Sequence, residues 1–290
     1  MRIVFPSDPV TPKRVDEAFS DEESASREAG LGAALVDHDA LVAGDVSAAV
    51  SRIREPGPAI YRGWMLTVQQ YTALYDALAL RGVQLINDPT QYRYAHHLPE
   101  NLGDLGDATP PSLCIPIAEL DWASLPACLA AFGDGALVVK DWVKSRKHEW
   151  HEACYIPRAS DTATVEKIAR RFVELQGPDL TGGLVFRAFE TFEPIGCHPS
   201  GMPLTKELRQ FYMDGVLLVG GAYWDQGDCS AMPDFAPLAA KLRSRFFTLD
   251  LAHRTDGVWR VVEMGDGQVS GLQTIPAATF YTALAQWARR

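Results

Sequence analysis

Two Asp-Gly pairs punctuate the last third of the chain, each between runs of alternating apolar residues. Asp214-Gly215 separates 208–213 from 216–219, and Asp256-Gly257 separates 246–254 from 258–264. Such a pair accepts the positive φ that a tight antiparallel turn requires, so each reads as a hairpin. A two-residue turn at Asp256-Gly257 sets Thr255 opposite Val258 and, counting back, Asp250 opposite Glu263. Facing Cβ atoms lie about 5 Å apart, and like charges there destabilise, so a positive partner is required. The neighbours Leu249, Leu251, Val262 and Met264 should turn to the opposite, buried face. Asp266, in Gly265-Asp266-Gly267, offers a third oxygen. Oxygen ligands of this kind suit Mg²⁺ or Mn²⁺. The competing expectations are a solvated face on which the acids pair with lysine or arginine, and a three-residue loop that slips the register by one.

Residues 1–90 alternate strand and helix. Strands are expected at 3–5, 33–36, 59–61 and 83–86, with a charged helix over 16–29. Thr67 and Gln70 form a capping box ahead of Tyr71, Leu74, Tyr75 and Leu78, and Gly82 closes that helix. This is a small α/β layer. Residues 91–136 hold several prolines and Gly-Asp pairs and read as loops and short helices. Beyond them come a strand at 137–139, a helix over 161–176 stopped by Gly177-Pro178, a strand at 184–189, and a final helix opened by Pro276. The fold class is therefore α/β with an α+β second part. At 290 residues the chain buries its own core without staples.

The net charge of −10 disfavours nucleic acid as a partner. The five cysteines form no C-x-x-C, and no run of 18 apolar residues occurs, which together point to the cytoplasm and away from the membrane. No G-x-S-x-G, G-x-G-x-x-G or P-loop motif is present.

Lys140 ends an apolar run and is followed by Lys144, Arg146 and Lys147. These charges suit phosphate oxygens, or else a solvated surface. Arg187 interrupts the otherwise buried strand 184–189, and Arg209 interrupts 207–211. A buried arginine needs an anionic partner, supplied by a ligand or by a cross-strand carboxylate. Arg62 follows a strand of the first layer, where ligands bind such sheets, and is a candidate for a substrate carboxylate or for stacking on Trp64. His96-His97 makes a poor chelate. His148 and His151 share a helical face but have no third ligand, so surface or nucleotide contact is the better reading.

Four segments in order resemble the ATP-grasp superfamily over about residues 137–272. The run 137–140 is similar to the strand bearing a nucleotide-contacting lysine. The run 184–189, with Glu190 and Glu193 behind it, is similar to the strand bordering adenine. Glu207 to Gly215 matches an E-x-R-x-F-x-x-D-G hairpin whose arginine reaches the terminal phosphates. Asp250 with 261–267 is similar to the metal-binding strands. The departures are specific: no lysine between Lys13 and Lys140, basic residues in place of a glycine-rich loop, Arg187 where an acid is usual, and Gly265 where an asparagine is usual. They resemble the R2K clade. Arg93 or a histidine is the expected substitute for the missing upstream lysine.

The resemblance implies an ATP-grasp domain over 91–290, with subdomains at about 137–180 and 181–290, preceded by a pre-ATP-grasp layer at 1–90. It implies ATP and Mg²⁺ (or Mn²⁺) as cofactors, with Lys140, Lys144, Lys147, Arg187, Ala188, Phe189, Glu190, Glu193 and Arg209 around the nucleotide. Lys140 and Arg209 would be catalytic, Asp250, Glu263 and Asp266 would hold metal, and the basic loop 141–152 would be a lid. The implied activity joins a carboxylate to an amine, small-molecule or peptide, through an acylphosphate with release of ADP. The alternatives are phosphotransfer from the same site and a degenerate nucleotide-binding module.

Overall fold

The computed structural model describes residues 1–227 and 232–290. Cys229 lies outside the described residues, and the four other cysteines are free thiols. Among the described residues no helix is long and apolar enough to cross a membrane.

The first layer is a parallel sheet of β1 (Arg2–Pro6), β2 (Gly32–Val36), β3 (Gly57–Tyr61) and β4 (Val83–Leu85), in the order β2-β1-β3-β4. The helix Val68–Ala79 starts on the reciprocal Thr67–Gln70 capping box and buries Tyr71, Leu74 and Leu78. Asn87-Asp88-Pro89 ends β4, but Asp88 also caps a new helix, Pro89–His96, through a second box with Gln91. Leu98–Leu105 follows as a further helix.

The second sheet is antiparallel. It holds β5 (Ser112–Pro116), β6 (Leu137–Asp141), β7 (Tyr155–Ile156) and β8 (Gly183–Ala188), in the order β5-β8-β6-β7. The helix Thr162–Gln176, capped by Asp161, packs Val165, Ile168 and Phe172 against it. A hairpin of β9 (Pro194–Cys197) and β10 (Pro203–Thr205) follows.

The third sheet, also antiparallel, is built from β11 (Glu207–Met213), β12 (Val216–Ala222), β13 (Phe246–His253) and β14 (Trp259–Asp266), in the order β12-β11-β13-β14. Asp214 (φ 50°) and Gly215 (φ 76°) make the two-residue turn that joins Met213 to Val216. The second hairpin turns differently. Gly257 (φ 88°) donates its N–H to the Arg254 carbonyl at 2.9 Å, and Arg254 donates to the Val258 carbonyl at 2.8 Å, so three residues form the loop. Near the turn the register is therefore one residue off the two-residue expectation, with His253 opposite Trp259 and Leu251 opposite Val261. A β-bulge at Val262 absorbs the extra residue, and Asp250 faces Glu263 after all. Leu249, Leu251 and Met264 turn to the buried face as expected, whereas the bulged Val262 lines the cleft.

The layers share their core. Ile3, Phe5 and Ile60 of the first sheet pack with Phe211 and Phe246 of the third, and with Phe280 and Tyr281 of the final helix Ala277–Ala288. Apolar packing is continuous across residue 90.

Candidate active site

The second and third sheets face each other across a cavity of about 510 Å³. Lys140 enters from the end of β6 and Arg187 from β8. Lys147 comes from the basic loop, and Glu207 and Glu263 come from β11 and β14. Ala188, Phe189 and Glu190 form one wall, with Trp150, Met202 and Trp224 giving it an apolar, aromatic character. A smaller chamber of about 130 Å³ shares Glu263 and adds Asp250, Arg209, His96, Thr248 and Ser270. Two wider grooves, of about 870 and 680 Å³, lie elsewhere. The ion pairs on their linings are already closed, Asp214 with Arg245 in one and Glu152 with Arg171 in the other.

The facing acids are treated differently by their surroundings. Arg209 lies beside Asp250 on the neighbouring strand β11 and grips it with two parallel bonds, Nε to Oδ1 at 2.8 Å and Nη2 to Oδ2 at 2.7 Å. Its third amino group donates to the Gly271 carbonyl at 2.8 Å, and its plane lies 4.9 Å from the Tyr223 ring. The compensating charge required by the acid pair is thus internal. Burial would strip Arg209 of its proton, but Asp250 more than offsets this and holds the guanidinium charged. Burial and the facing Glu263 push Asp250 up, against the pull of Arg209. Glu263 accepts no hydrogen bond from a described residue. Burial alone would raise its pKa, yet Lys140, Lys147, Arg209 and Arg187 together bring it down and keep it ionised.

The cations respond in kind. Burial lowers Lys140, with Glu263 opposing, and its ammonium donates to the Val143 carbonyl at 3.2 Å. Lys147 is exposed to solvent yet lines the cavity. Burial pulls its pKa down, and Glu263 and Glu207 more than restore it. Arg187 pairs with no carboxylate among the described residues. It donates instead to Val262 O at 2.6 Å, Val261 O at 2.9 Å and Thr109 Oγ1, and burial lowers it to about 10. The expected salt bridge is replaced by carbonyls that the bulge in β14 turns outward.

Several candidates lie elsewhere. Asp266 follows Met264 onto the opposite face, because side chains alternate along a strand. It accepts from Asn87 Nδ2 at 2.6 Å and from the Gln268 N–H at 2.9 Å, and burial raises it to about 6. It does not join the acid pair. Arg62 is 2% exposed, with its donors taken by both oxygens of Glu22 at 2.9 Å and by the Gly267 and Ser270 carbonyls at 2.6 and 2.8 Å. Its plane lies over Phe280 rather than Trp64. It therefore has no fork left for a substrate carboxylate and instead ties the first layer to the 267–270 loop. Lys144 is exposed and outside the cavity. Glu193 also lies outside it, paired with His253 at 2.9 Å and Lys206 at 3.7 Å. Glu190 lines the wall, but its carboxylate is held by both arms of Arg260 at 2.9 Å.

Of the substitutes for an upstream lysine, Arg93 sits at the surface with Glu100 at 2.7 Å. His96 does reach the chamber, but burial lowers it to about 4, so it is neutral and supplies no charge. The rings of His148 and His198 lie 5.3 Å apart. Among the described residues no three metal-binding side chains of the His, Cys, Asp and Glu types come together.

Sequence reasoning did not select Glu207, Trp150, Met202 or Trp224, and it offered a histidine only as a substitute for the upstream lysine, without singling out His96. Glu207 carried a signal, since it shares a strand face with Arg209 two residues on. The others sit in stretches without a readable period.

The profile described as "ATP-grasp domain, R2K clade family 3" matches residues 131–284. Solved structures similar in fold include the D-cycloserine synthetase DcsG (TM-score 0.62, 18% identity, 99% of both chains). A RimK domain ATP-grasp protein from Sphaerobacter thermophilus DSM 20745 is also similar (0.59, 15%, 99% of both). So is the ATP-grasp ligase PsnB, complexed with minimal precursor, Mg and ADP (0.59, 14%, 99% of this chain and 98% of that one). Comparison with curated proteins found no match. With more than half its length matched and the cavity assembled between the second and third sheets, the chain belongs to the ATP-grasp superfamily, in family 3 of the R2K clade.

Proposed function

We propose that the protein is an ATP-dependent ligase that activates a carboxylate as an acylphosphate and joins it to an amine, releasing ADP. The observation that carries this reading is Glu263. It is an ionised carboxylate with no hydrogen-bond partner among the described residues, set among cations from two sheets at the junction of the cavity and the chamber. A structural carboxylate would be consumed by its neighbours, as Asp266 and Glu190 are.

The cavity suits a nucleotide. Its Phe189, Trp150 and Trp224 end is apolar and aromatic, and its Lys140, Lys147 and Arg187 end is cationic. Mg²⁺ would be held by Glu263 and by the remaining lone pairs of Asp250, and when bound it neutralises phosphate oxygens. The chain's own residues do the rest. Lys140 and Lys147 hold the phosphates as point charges. Arg187 adds a fixed cation anchored on the bulge. Arg209, seated on Asp250, presents its outer N–H groups at the chamber mouth, where charge develops on the transferred phosphoryl group. The basic loop over the cleft would exclude water from the acylphosphate.

The test is calorimetric titration with Mg²⁺ and a non-hydrolysable ATP analogue, with and without the metal. Wild type should bind in a Mg²⁺-dependent manner, and Glu263→Gln should lose that dependence. Binding that is absent, or indifferent to the metal in wild type, would overturn the reading.

A further inference from the structure

We propose, resting on the ligase reading above, that His96 receives the nitrogen nucleophile: its Nε2 accepts an N–H of the incoming amine and takes that proton as the C–N bond forms.

The ring is the last residue of the helix Pro89–His96 and lines the chamber alongside Asp250, Glu263 and Arg209. On its other side it borders a narrow void with Lys140 and Arg187. Its Nδ1 lies 3.0 Å from the Tyr92 carbonyl oxygen. A carbonyl only accepts, so Nδ1 carries the hydrogen and Nε2 presents a lone pair. No described residue occupies that lone pair. The tautomer is locked from behind. Tyr92 stacks on Tyr71 at 3.9 Å between centroids, and its hydroxyl donates to the Leu66 carbonyl at 2.8 Å.

The remaining polar groups of the chamber are unsuited to the task. Arg209 only donates, Asp250 is bound to Arg209, Glu263 belongs to the phosphate end, and Thr248 and Ser270 bond to each other at 3.0 Å. Met65, Val143 and Val269 supply the chamber's apolar lining. A chamber of about 130 Å³ suits ammonia or the small uncharged end of a primary amine. In the step itself the nitrogen lone pair attacks the acyl carbon and the C–O bond to the phosphoryl group breaks. Inorganic phosphate leaves with that electron pair, and the surplus N–H proton passes to Nε2.

The test is long-range proton–nitrogen NMR on protein labelled with ¹⁵N-histidine, loaded with Mg²⁺ and the ATP analogue and titrated with hydroxylamine, a small uncharged nitrogen nucleophile. The His96 resonances are assigned by their loss in His96→Gln. The expected result is a neutral ring protonated at Nδ1 whose Nε2 resonance shifts with hydroxylamine. A ring protonated at Nε2, or an Nε2 resonance that hydroxylamine leaves unmoved, overturns the proposal. Failure of Mg²⁺–nucleotide binding in calorimetry would instead sink the ligase reading, and the tautomer and the hydroxylamine response are then read on the nucleotide-free protein.

Discussion

Asp250 carries a charge whose removal has two opposed effects. Bare facing acids would gain stability from neutralising either one. Here Arg209 is seated on both Asp250 oxygens and is 8% exposed, so Asp250→Asn strands a buried guanidinium. Breaking a buried pair costs about 3–5 kcal/mol, more than the repulsion relieved. Urea denaturation should show a loss of about 3 kcal/mol, and unchanged or raised stability would mean that acid–acid repulsion dominates. Asp266 gives a pH signature of the opposite kind from a paired carboxylate. Its folded pKa, about 6, is above the unfolded value, so the folded state binds the proton more tightly. Its contribution is full at low pH and is lost as pH rises from about 4 to about 6, by about 3 kcal/mol. In Asp266→Asn this segment of the stability–pH curve should flatten; an unaltered slope would assign it to other groups. The two aspartates also differ in legibility. Asp250 was readable because a hairpin relates it to Glu263 through local spacing. The partner of Asp266 is Asn87, 179 residues away, and no local pattern announces it.

Among the elements, hairpins and capped helices were legible because turn and cap chemistry is local. The Thr67 box and Asp214-Gly215 formed as read. The Asp256-Gly257 turn took a third residue, and the bulge at Val262 returned the lost register, so the acid pair survived for a reason that spacing alone does not contain. Strand β5 was missed because every one of its five residues is partly buried, which leaves no alternation to detect, and because Pro110-Pro111 precede it and Pro116 ends it. Its existence depends on Gly183 in β8. A Cβ there would collide with the Ile115 carbonyl oxygen and lie 2.7 Å from the Pro116 Cα, both in β5. Gly183→Ala should therefore detach the β5 edge and cost about 1–3 kcal/mol. Hydrogen exchange should show protection lost at 112–116 with β6 spared, and retained protection there would refute the account.

Across the whole molecule, the first and third sheets share one core, with Phe280 meeting Phe211 at 5.0 Å and Phe246 at 6.3 Å between centroids, under the Arg62 plane. Phe280→Ala should cost about 3–5 kcal/mol. Calorimetry should show one transition lowered as a unit, whereas a first layer melting apart from the third sheet would contradict a common core. The cleft shows a second global property when set against the total charge. Glu190 on the wall is neutralised by Arg260 behind it, and the remaining charges are Lys140, Lys147, Arg187 and Arg209 against Glu263, Asp250 and Glu207, a local surplus of positive charge inside a chain of net −10. An approaching polyanion is repelled from afar and attracted only at the mouth. Screening acts on the far field first, since the Debye length is about 10 Å at 0.1 M salt. Stopped-flow measurements should therefore find nucleotide association accelerating as ionic strength rises while the bound complex dissociates faster. Small anions pass that barrier with one or a few charges to expose, whereas a long nucleic acid would carry its whole length through it, so the sign of the outer field acts as a kinetic sieve on the size of what reaches the cleft.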